Sequence, residues 1–492
     1  MHSMNEWLVE SEASGQTGPV VGLSQWGGPA LRSTLWFLAA PALLAVTIIV
    51  LDVRLPGWAL YGIAGVMGLV LVLRVATDAE WLLALFIIYI PLNKIYVVPL
   101  APGINGTNAL MLLMLFAWGM HVSREDRPVF RSLPNSGLVG TYGAITLISV
   151  VTASITLGFG HLMTTYLGDI KSWLDQFIVF FVFLNLIRDA RMARRIVLYL
   201  MLGALVTLAL GFQEWLDKRL FDSIDKSRVF GPQLQPNDYG AFLSYMAAPF
   251  IALFVTNLGR IRAWFVLFPV LLAIAKILLA TFSRGAYVGM ALCGVVAGYV
   301  RGKLFLVGSG VLALGFLIAM PQLIPESLSA RMAQTTTDVG ATEQLDDSSQ
   351  TRLILWEAAI DMTMENPVFG KGFKTFPELK GQYTKIQVHE SDNHNMYLYV
   401  ASQMGVPAVV TLLLIFWRMY SQGVQLYRRS EDPFARAIGM GAAAMVACIA
   451  LANMFGSRMV DISVTAYFWI YLAALSHMTA QLAESNQEEE LP

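Results

Sequence analysis

The chain has 492 residues, of which 56% are hydrophobic and only 14% charged, with a net charge of −1. Soluble domains carry about 25% charged residues, so a surplus of apolar side chains this large excludes an ordinary soluble core. The near-zero balance excludes a global attraction to nucleic acid. Cys293 and Cys448 both fall inside apolar blocks, which argues against a disulfide framework or a thiolate metal site.

Residues 1–32 are polar and Gly-rich, without a basic stretch leading into an apolar core, and read as a tail rather than a cleaved signal. From there the apolar residues come in blocks of about 20, the length that crosses ~30 Å of hydrocarbon. Fourteen candidate spans follow: 33–51, 57–73, 81–100, 109–122, 138–157, 172–187, 196–213, 238–256, 263–282, 286–300, 304–320, 394–417, 435–455 and 464–482. Pro91 interrupts the third and the fourth is short, so either could be re-entrant. Spans 1–11 occupy 33–320 and spans 12–14 occupy 394–482. Between them lies the one large extramembrane segment, 321–393. An acidic tail, 483–492, closes the chain. The expected fold is therefore an all-α polytopic membrane protein of about 12–14 helices.

Orientation follows from Lys and Arg in the short loops. With the N-terminus inside, the inner loops hold sixteen of them, among them Arg188, Arg191, Arg194, Arg195, Arg428 and Arg429. The short outer loops hold one each: Arg54, Lys94, Lys171, Arg284 and Arg458. Both termini are expected in the cytoplasm and segment 321–393 on the outer face. Within that segment 333–350 is polar and expected to be mobile. Residues 352–364 then show apolar side chains at helical spacing, ended by Pro367, Gly370 and Gly372. They predict an amphipathic helix on the membrane face or on the helix bundle.

No Walker loop, GxGxxG, HExxH or GxSxG is present, so ATP-driven pumping, zinc proteolysis and serine hydrolysis lose their usual signatures. The distinctive residues sit at the outer boundary. Ser227-Arg228-Val229-Phe230-Gly231-Pro232 with Gln235-Pro236-Asn237-Asp238 places an arginine fork, suited to phosphate, just before a span. A lipid-headgroup anchor is the plainer alternative. In Thr281-Phe282-Ser283-Arg284-Gly285 two spans meet with almost no loop, which sets Arg284 at the membrane edge. There it either serves a site or snorkels to the headgroups. Lys276, deeper in the same span, could line that cavity or pair with a carboxylate. His389-Glu390-Ser391-Asp392-Asn393-His394-Asn395 ends the large segment. His394 is the best general-base candidate because an imidazole titrates near neutrality. His389 is a loop residue able to contact substrate. Arg352 could bind a phosphate or sugar, or cap the loop helix. Asp392, Glu390 and His394 match no standard metal spacing, so no metal or other cofactor is expected.

Taken in order, Arg228-Val-Phe-Gly with Gln235-Pro-Asn-Asp, Ser283-Arg-Gly-Ala, Arg352 with Trp356, Pro367 and Gly370-Lys-Gly372, and His394-Asn-Met-Tyr with Gly405 resemble the O-antigen ligase/polymerase superfamily. That group includes Wzy-type polysaccharide polymerases, O-antigen ligases and some protein O-glycosyltransferases. The motifs cover about residues 228–405. The resemblance implies a GT-C-like bacterial inner-membrane enzyme performing metal-independent, inverting glycosyl transfer on the periplasmic face. The donor it implies is a glycan on undecaprenyl diphosphate, and the acceptor a glycan, lipid or protein hydroxyl. Membrane lipid and other polysaccharide-assembly proteins are the further partners expected. On this resemblance Arg228 and Arg284 hold the diphosphate, His394 activates the acceptor, and Arg352 has a less defined loop role. Asp392, Asn395, His389 and Lys276 are expected to contact substrate. A polymerase is the favoured activity, with a ligase or protein glycosyltransferase as alternatives. A transporter or flippase without chemistry is the competing class.

Overall fold

The computed structural model describes residues 78–97, 99–101, 104–125, 128–221, 223–319, 336–339, 342–345, 347–384 and 388–489. The expected spans 33–51 and 57–73 lie outside these residues. The helices, in chain order, are α1 (Glu80–Tyr89), α2 (Gly106–Glu125), α3 (Ser136–Leu157), α4 (Phe159–Thr165), α5 (Leu167–Leu186), α6 (Ala190–Lys218) and α7 (Ile224–Ser227). They continue with α8 (Pro236–Thr256), α9 (Ile261–Ala280), α10 (Arg284–Arg301), α11 (Lys303–Ala319), α12 (Asp347–Glu365), α13 (Phe376–Leu379), α14 (Met396–Met404), α15 (Val406–Arg429), α16 (Pro433–Ala452) and α17 (Ile462–Glu489). Two small antiparallel ribbons, Pro99–Ala101 with Ile104–Asn105 and Thr336–Val339 with Thr342–Leu345, are the strands among the described residues. The second lies inside the stretch expected to be mobile.

Six described helices are long and apolar enough to cross a membrane: α3, α6, α8, α9 and α16 along their whole length, and α2 over Gly106–Ser123. The expected count of 12–14 also included α5, α10, α15 and α17. These are of similar length but carry more charged or polar residues, such as Asp169 and Asp175 in α5 and Arg284 and Arg301 in α10. The expected single span 394–417 is two helices, because Gly405 takes φ 86° between α14 and α15. Pro91 turns the end of α1 into a 3-10 turn at Ile90–Leu92, since proline cannot donate into the helical ladder.

The core of the bundle is α8, α10 and α16 in mutual contact, with α15 against α16. Small residues let these backbones close up, the usual device where apolar solvent gives no hydrophobic drive between helices. A Cβ on Gly289 of α10 would come within 2.9 Å of Cys448 Sγ, and one on Gly423 of α15 within 2.6 Å of Gly439 O. Both cysteines are buried there and free. At one end Glu80, 3% exposed, is matched by Arg195 through two bonds of 2.6 Å and by the Tyr199 hydroxyl at 2.9 Å. A buried carboxylate is tolerable when it is this fully paired; here it pins α1 to α6.

Helix directions alternate, so the two ends of the bundle collect different residues. One end gathers Arg131, Arg188, Arg194, Arg195 and Arg436. Arg194 pairs with Asp432 at 2.8 Å there. The other end gathers the end of α6, the start of α8, the α9–α10 corner, the segment before α14, and the turn between α16 and α17. Helix α12 also docks at that end. Leu355, Ala358, Ala359 and Met362 of α12 bury with Phe376 against Leu379, Tyr383, Val388 and Leu398, so the loop helix rests on α14 of the bundle. The chain after it, Pro367–Phe373, is laced on by Lys371 N–H to Ser402 O (2.9 Å), Gly372 N–H to Gln403 O (3.0 Å) and Phe373 N–H to Ser149 O (3.1 Å). Gly372 (φ 108°) passes so close to α3 that a Cβ would meet Ala153 N at 2.4 Å.

Candidate active site

Arg228 follows α7 on the chain returning to α8. Its backbone is held by Lys218 Nζ donating to Arg228 O at 3.0 Å, and the next amide, Val229 N–H, donates to Ala280 O at 3.0 Å. Glu214, one turn before Lys218 on α6, accepts the amides of Phe230 (3.1 Å) and Gly231 (2.8 Å) and the Lys218 ammonium (2.6 Å). The loop is thus moulded around one carboxylate. The half-buried Arg228 guanidinium donates Nε to Thr281 O at 3.0 Å and Nη2 to Asn237 Oδ1 at 3.3 Å.

Thr281 is three residues before Arg284, so the two arginine segments meet at the α9–α10 corner. Phe282 takes φ 53° to make that corner, and α8 fits tightly into it. A Cβ on Gly240 would stand 2.9 Å from Thr281 Oγ1 and 3.1 Å from Ser283 Cβ. Arg284 is the first residue of α10 and is half-buried. Its neighbour Gly285 faces Phe455 of the α16–α17 turn, whose Cβ is 3.6 Å from where a Gly285 Cβ would be.

His394 lies in the loop just before α14, with φ 56°. A left-handed conformation costs a non-glycine residue about 1–3 kcal/mol and persists where the surroundings over-determine it. Here they do. Asn395 caps α14 by accepting from Tyr397 N–H (3.0 Å) and Leu398 N–H (3.2 Å), Asn393 Oδ1 accepts from Asn395 N–H (3.1 Å), and Trp356 Nε1 of α12 donates to Asn393 O (2.8 Å). The imidazole Nδ1 stands 3.5 Å from Asp392 Oδ2, and Asp392 Oδ1 accepts from Ser457 Oγ at 2.7 Å. Partial burial pushes the His394 pKa below its ordinary value; Asp392 pulls it up, while Arg352 and Arg458 push it further down. The balance favours a neutral imidazole, the form able to take a proton.

Arg458 completes the arrangement. Its Nη1 meets Asp238 Oδ1 at 2.6 Å, and its backbone N–H donates to Asn453 Oδ1 at 3.0 Å. Asn453 O in turn accepts from Met396 N–H at 2.9 Å. Contacts and chain adjacency together link Arg228 through Asn237–Asp238 and Arg458–Ser457 to Asp392 and His394. Lys94 reinforces the same end by pairing with Asp461 and donating to Gln233 O at 3.3 Å.

Arg228, the Arg284 segment, Arg352, Asp392, His394 and Asn395 thus share one end of the bundle. Lys276 lies near the same end. It is exposed on α9 with Nζ 4.8 Å from the centre of the Trp215 ring, a cation–π contact instead of a carboxylate pair. His389 is exposed on the loop. Sequence reasoning gave no role to Asp238, Ser457 or Arg458. Asp238 stood inside a quoted motif. Arg458 was legible as a lone outer arginine in a very short loop, the same signal that singled out Arg284. Among the described residues, no three or more His, Cys, Asp or Glu side chains gather so as to hold a metal ion.

The helices and this polar end define the class: a multi-pass membrane protein with a charged, partly buried site at one end of its bundle. Residues 269–413 match the Wzy_C family model, described as O-antigen ligase. The match covers less than a third of the chain and supports a likeness to the O-antigen ligase/polymerase superfamily. It spans Arg284, Arg352, Asp392, His394 and Asn395, and stops short of Arg228 and Arg458. No curated protein matches the chain.

Proposed function

We propose that this chain transfers a glycan from undecaprenyl diphosphate to an acceptor hydroxyl on the periplasmic face of a bacterial inner membrane, with inversion and without a metal. The observation that carries this reading is the linked set from Arg228 to His394. It ties Arg228, which bonds the corner leading into Arg284, to the segment where Asp392 stands beside the His394 imidazole, and this supports reading the arginines as diphosphate ligands and the imidazole as base.

In this reading the donor diphosphate lies on Arg228 and Arg284. The acceptor hydroxyl oxygen attacks the anomeric carbon from the face opposite the leaving group, forming the new C–O bond as the bond to diphosphate oxygen breaks. His394 takes the hydroxyl proton, and undecaprenyl diphosphate departs with the bonding electron pair. Charge grows on the leaving diphosphate, so guanidinium groups already fixed in place stabilise the transition state more than the ground state. Asp392 orients the imidazole and stabilises the imidazolium that forms.

We take the acceptor to be a second lipid-linked repeat unit, the commonest role in the superfamily the sequence resembles, which makes the protein a polymerase. The description of the matched family favours a second reading, transfer to lipid A–core by a ligase. Purified protein given only lipid-linked repeat units separates them. A polymerase makes a ladder of longer glycans. A ligase leaves the units unchanged until lipid A–core is added, and a protein glycosyltransferase waits for a polypeptide. No transfer with any acceptor would defeat the enzymatic reading in favour of transport.

A further inference from the structure

Two contacts of the α16–α17 turn bear on both halves of the site at once. Ser457 Oγ binds Asp392, the carboxylate beside His394. The next residue, Arg458, binds Asp238, two positions into α8 and adjacent to the Asn237 that receives Arg228. Both members of the Arg458–Asp238 pair are largely buried, with side chains 16% and 18% exposed. The same turn is anchored by the Asn453 contacts to Arg458 and Met396. A hydrogen-bonded ion pair at that depth is directional, and misplacing a reacting group by about 1 Å can cost ~10²-fold in rate.

We infer that Arg458, paired with Asp238, is a positioning residue that clamps the segment carrying the general base to the segment carrying the diphosphate-binding arginine. This rests on the reading of His394 as base and Arg228 as diphosphate ligand. The clamp predicts that Arg458 acts on turnover through geometry and through its charge near His394, not on donor affinity. The charged groups acting on His394 are Asp392 and Glu390 of its own segment, Arg352 of α12 and Arg458.

The test measures transfer from lipid-linked repeat units and, separately, binding of undecaprenyl diphosphate, both with the full-length protein in detergent. Arg458→Ala should lower kcat by roughly 10–100-fold and leave undecaprenyl diphosphate affinity within about two-fold. Removing the positive charge should also raise the acid limb of the pH–rate profile, because less opposes protonation of His394. Asp238→Asn keeps the arginine but breaks the pair. It should give a similar loss of kcat with the limb moved down or unmoved, since Arg458 is then less neutralised. Wild-type kcat in Asp238→Asn, or an Arg458→Ala loss explained by equal loss of undecaprenyl diphosphate binding, overturns the clamp. His394→Ala in the same assay separates the two ideas. If it stays active the base reading fails, whereas an inactive His394→Ala beside a wild-type-like Arg458→Ala defeats the clamp alone.

Discussion

At the scale of single residues His394 is decisive, because its backbone conformation and its charge neighbours both serve one protonation state. His394→Ala should cut transfer by about 10²–10⁴-fold while undecaprenyl diphosphate still binds. Unimpaired transfer in that variant ends the base assignment. The sign of the pH effect follows from the same contacts. A base works when neutral, and burial with Arg352 and Arg458 holds its pKa below the ordinary imidazole value. The acid limb of kcat/KM, which reports the free enzyme, should therefore lie below about pH 6.5. Arg352→Ala should move it upward; an unmoved limb would mean that another group titrates. The candidate residues were legible in sequence where chemistry needs a rare residue in an unfavourable place, an arginine at the membrane edge or a histidine among asparagines. What was not legible was partnership. Nothing local in Ser457-Arg458 says that it faces Asp392 and Asp238, because those pairings depend on how α8, α14 and α16 pack.

At the scale of elements, glycines hold the junctions around the site and one buried carboxylate holds the far end of the bundle. Gly405 adopts φ 86° where a Cβ would meet Val368 O at 2.1 Å. Gly405→Ala should therefore destabilise the protein by at least the about 1–3 kcal/mol of a left-handed non-glycine residue, read as a lower thermal midpoint in detergent. An unchanged midpoint would mean that the α14–α15 junction is not under this constraint. Glu80→Ala leaves the Arg195 charge half-buried and unmatched, so about 3–5 kcal/mol of stability should go, although the pair lies at the opposite end from the site. Trp356→Phe is the subtler variant. It keeps the ring in α12 but removes the Nε1–H that holds Asn393 O, and should lower kcat several-fold with little change in midpoint. These outcomes sort the motif residues by role. Gly370, Gly372 and Gly405 let the chain after α12 lie against the bundle, and Trp356 and Asn395 hold the turn that presents His394.

At the scale of the whole molecule, the plan of helices was readable because a bilayer leaves so few options: segments of about 20 apolar residues, each satisfying its own backbone. Expected spans such as 138–157, 238–256 and 263–282 fall on α3, α8 and α9 within a few residues. Two expected spans differ: 81–100 is helical only to Tyr89, with a 3-10 turn and a strand after it, and 394–417 is two helices. Gly405 and Pro407 interrupt the latter in sequence, a helix-ending glycine followed by a helix-opening proline, and the left-handed backbone at Gly405 makes the break. Orientation is the remaining large-scale proposition, and it rests on charge. The arginine-rich end, with Arg188, Arg194, Arg195 and Arg436, should face the cytoplasm, which puts His394 and the α9–α10 corner outside. The two native cysteines are buried, so single introduced cysteines can be labelled against a low background. Lys226→Cys and Ser391→Cys, both exposed at the site end, should react with a membrane-impermeant maleimide once the outer membrane is opened. Glu431→Cys, exposed at the arginine-rich end, should react only after the inner membrane is permeabilised. The reverse pattern would place the site in the cytoplasm. It would remove access to any outer-leaflet donor and sink the proposed reaction, whatever the contacts around His394.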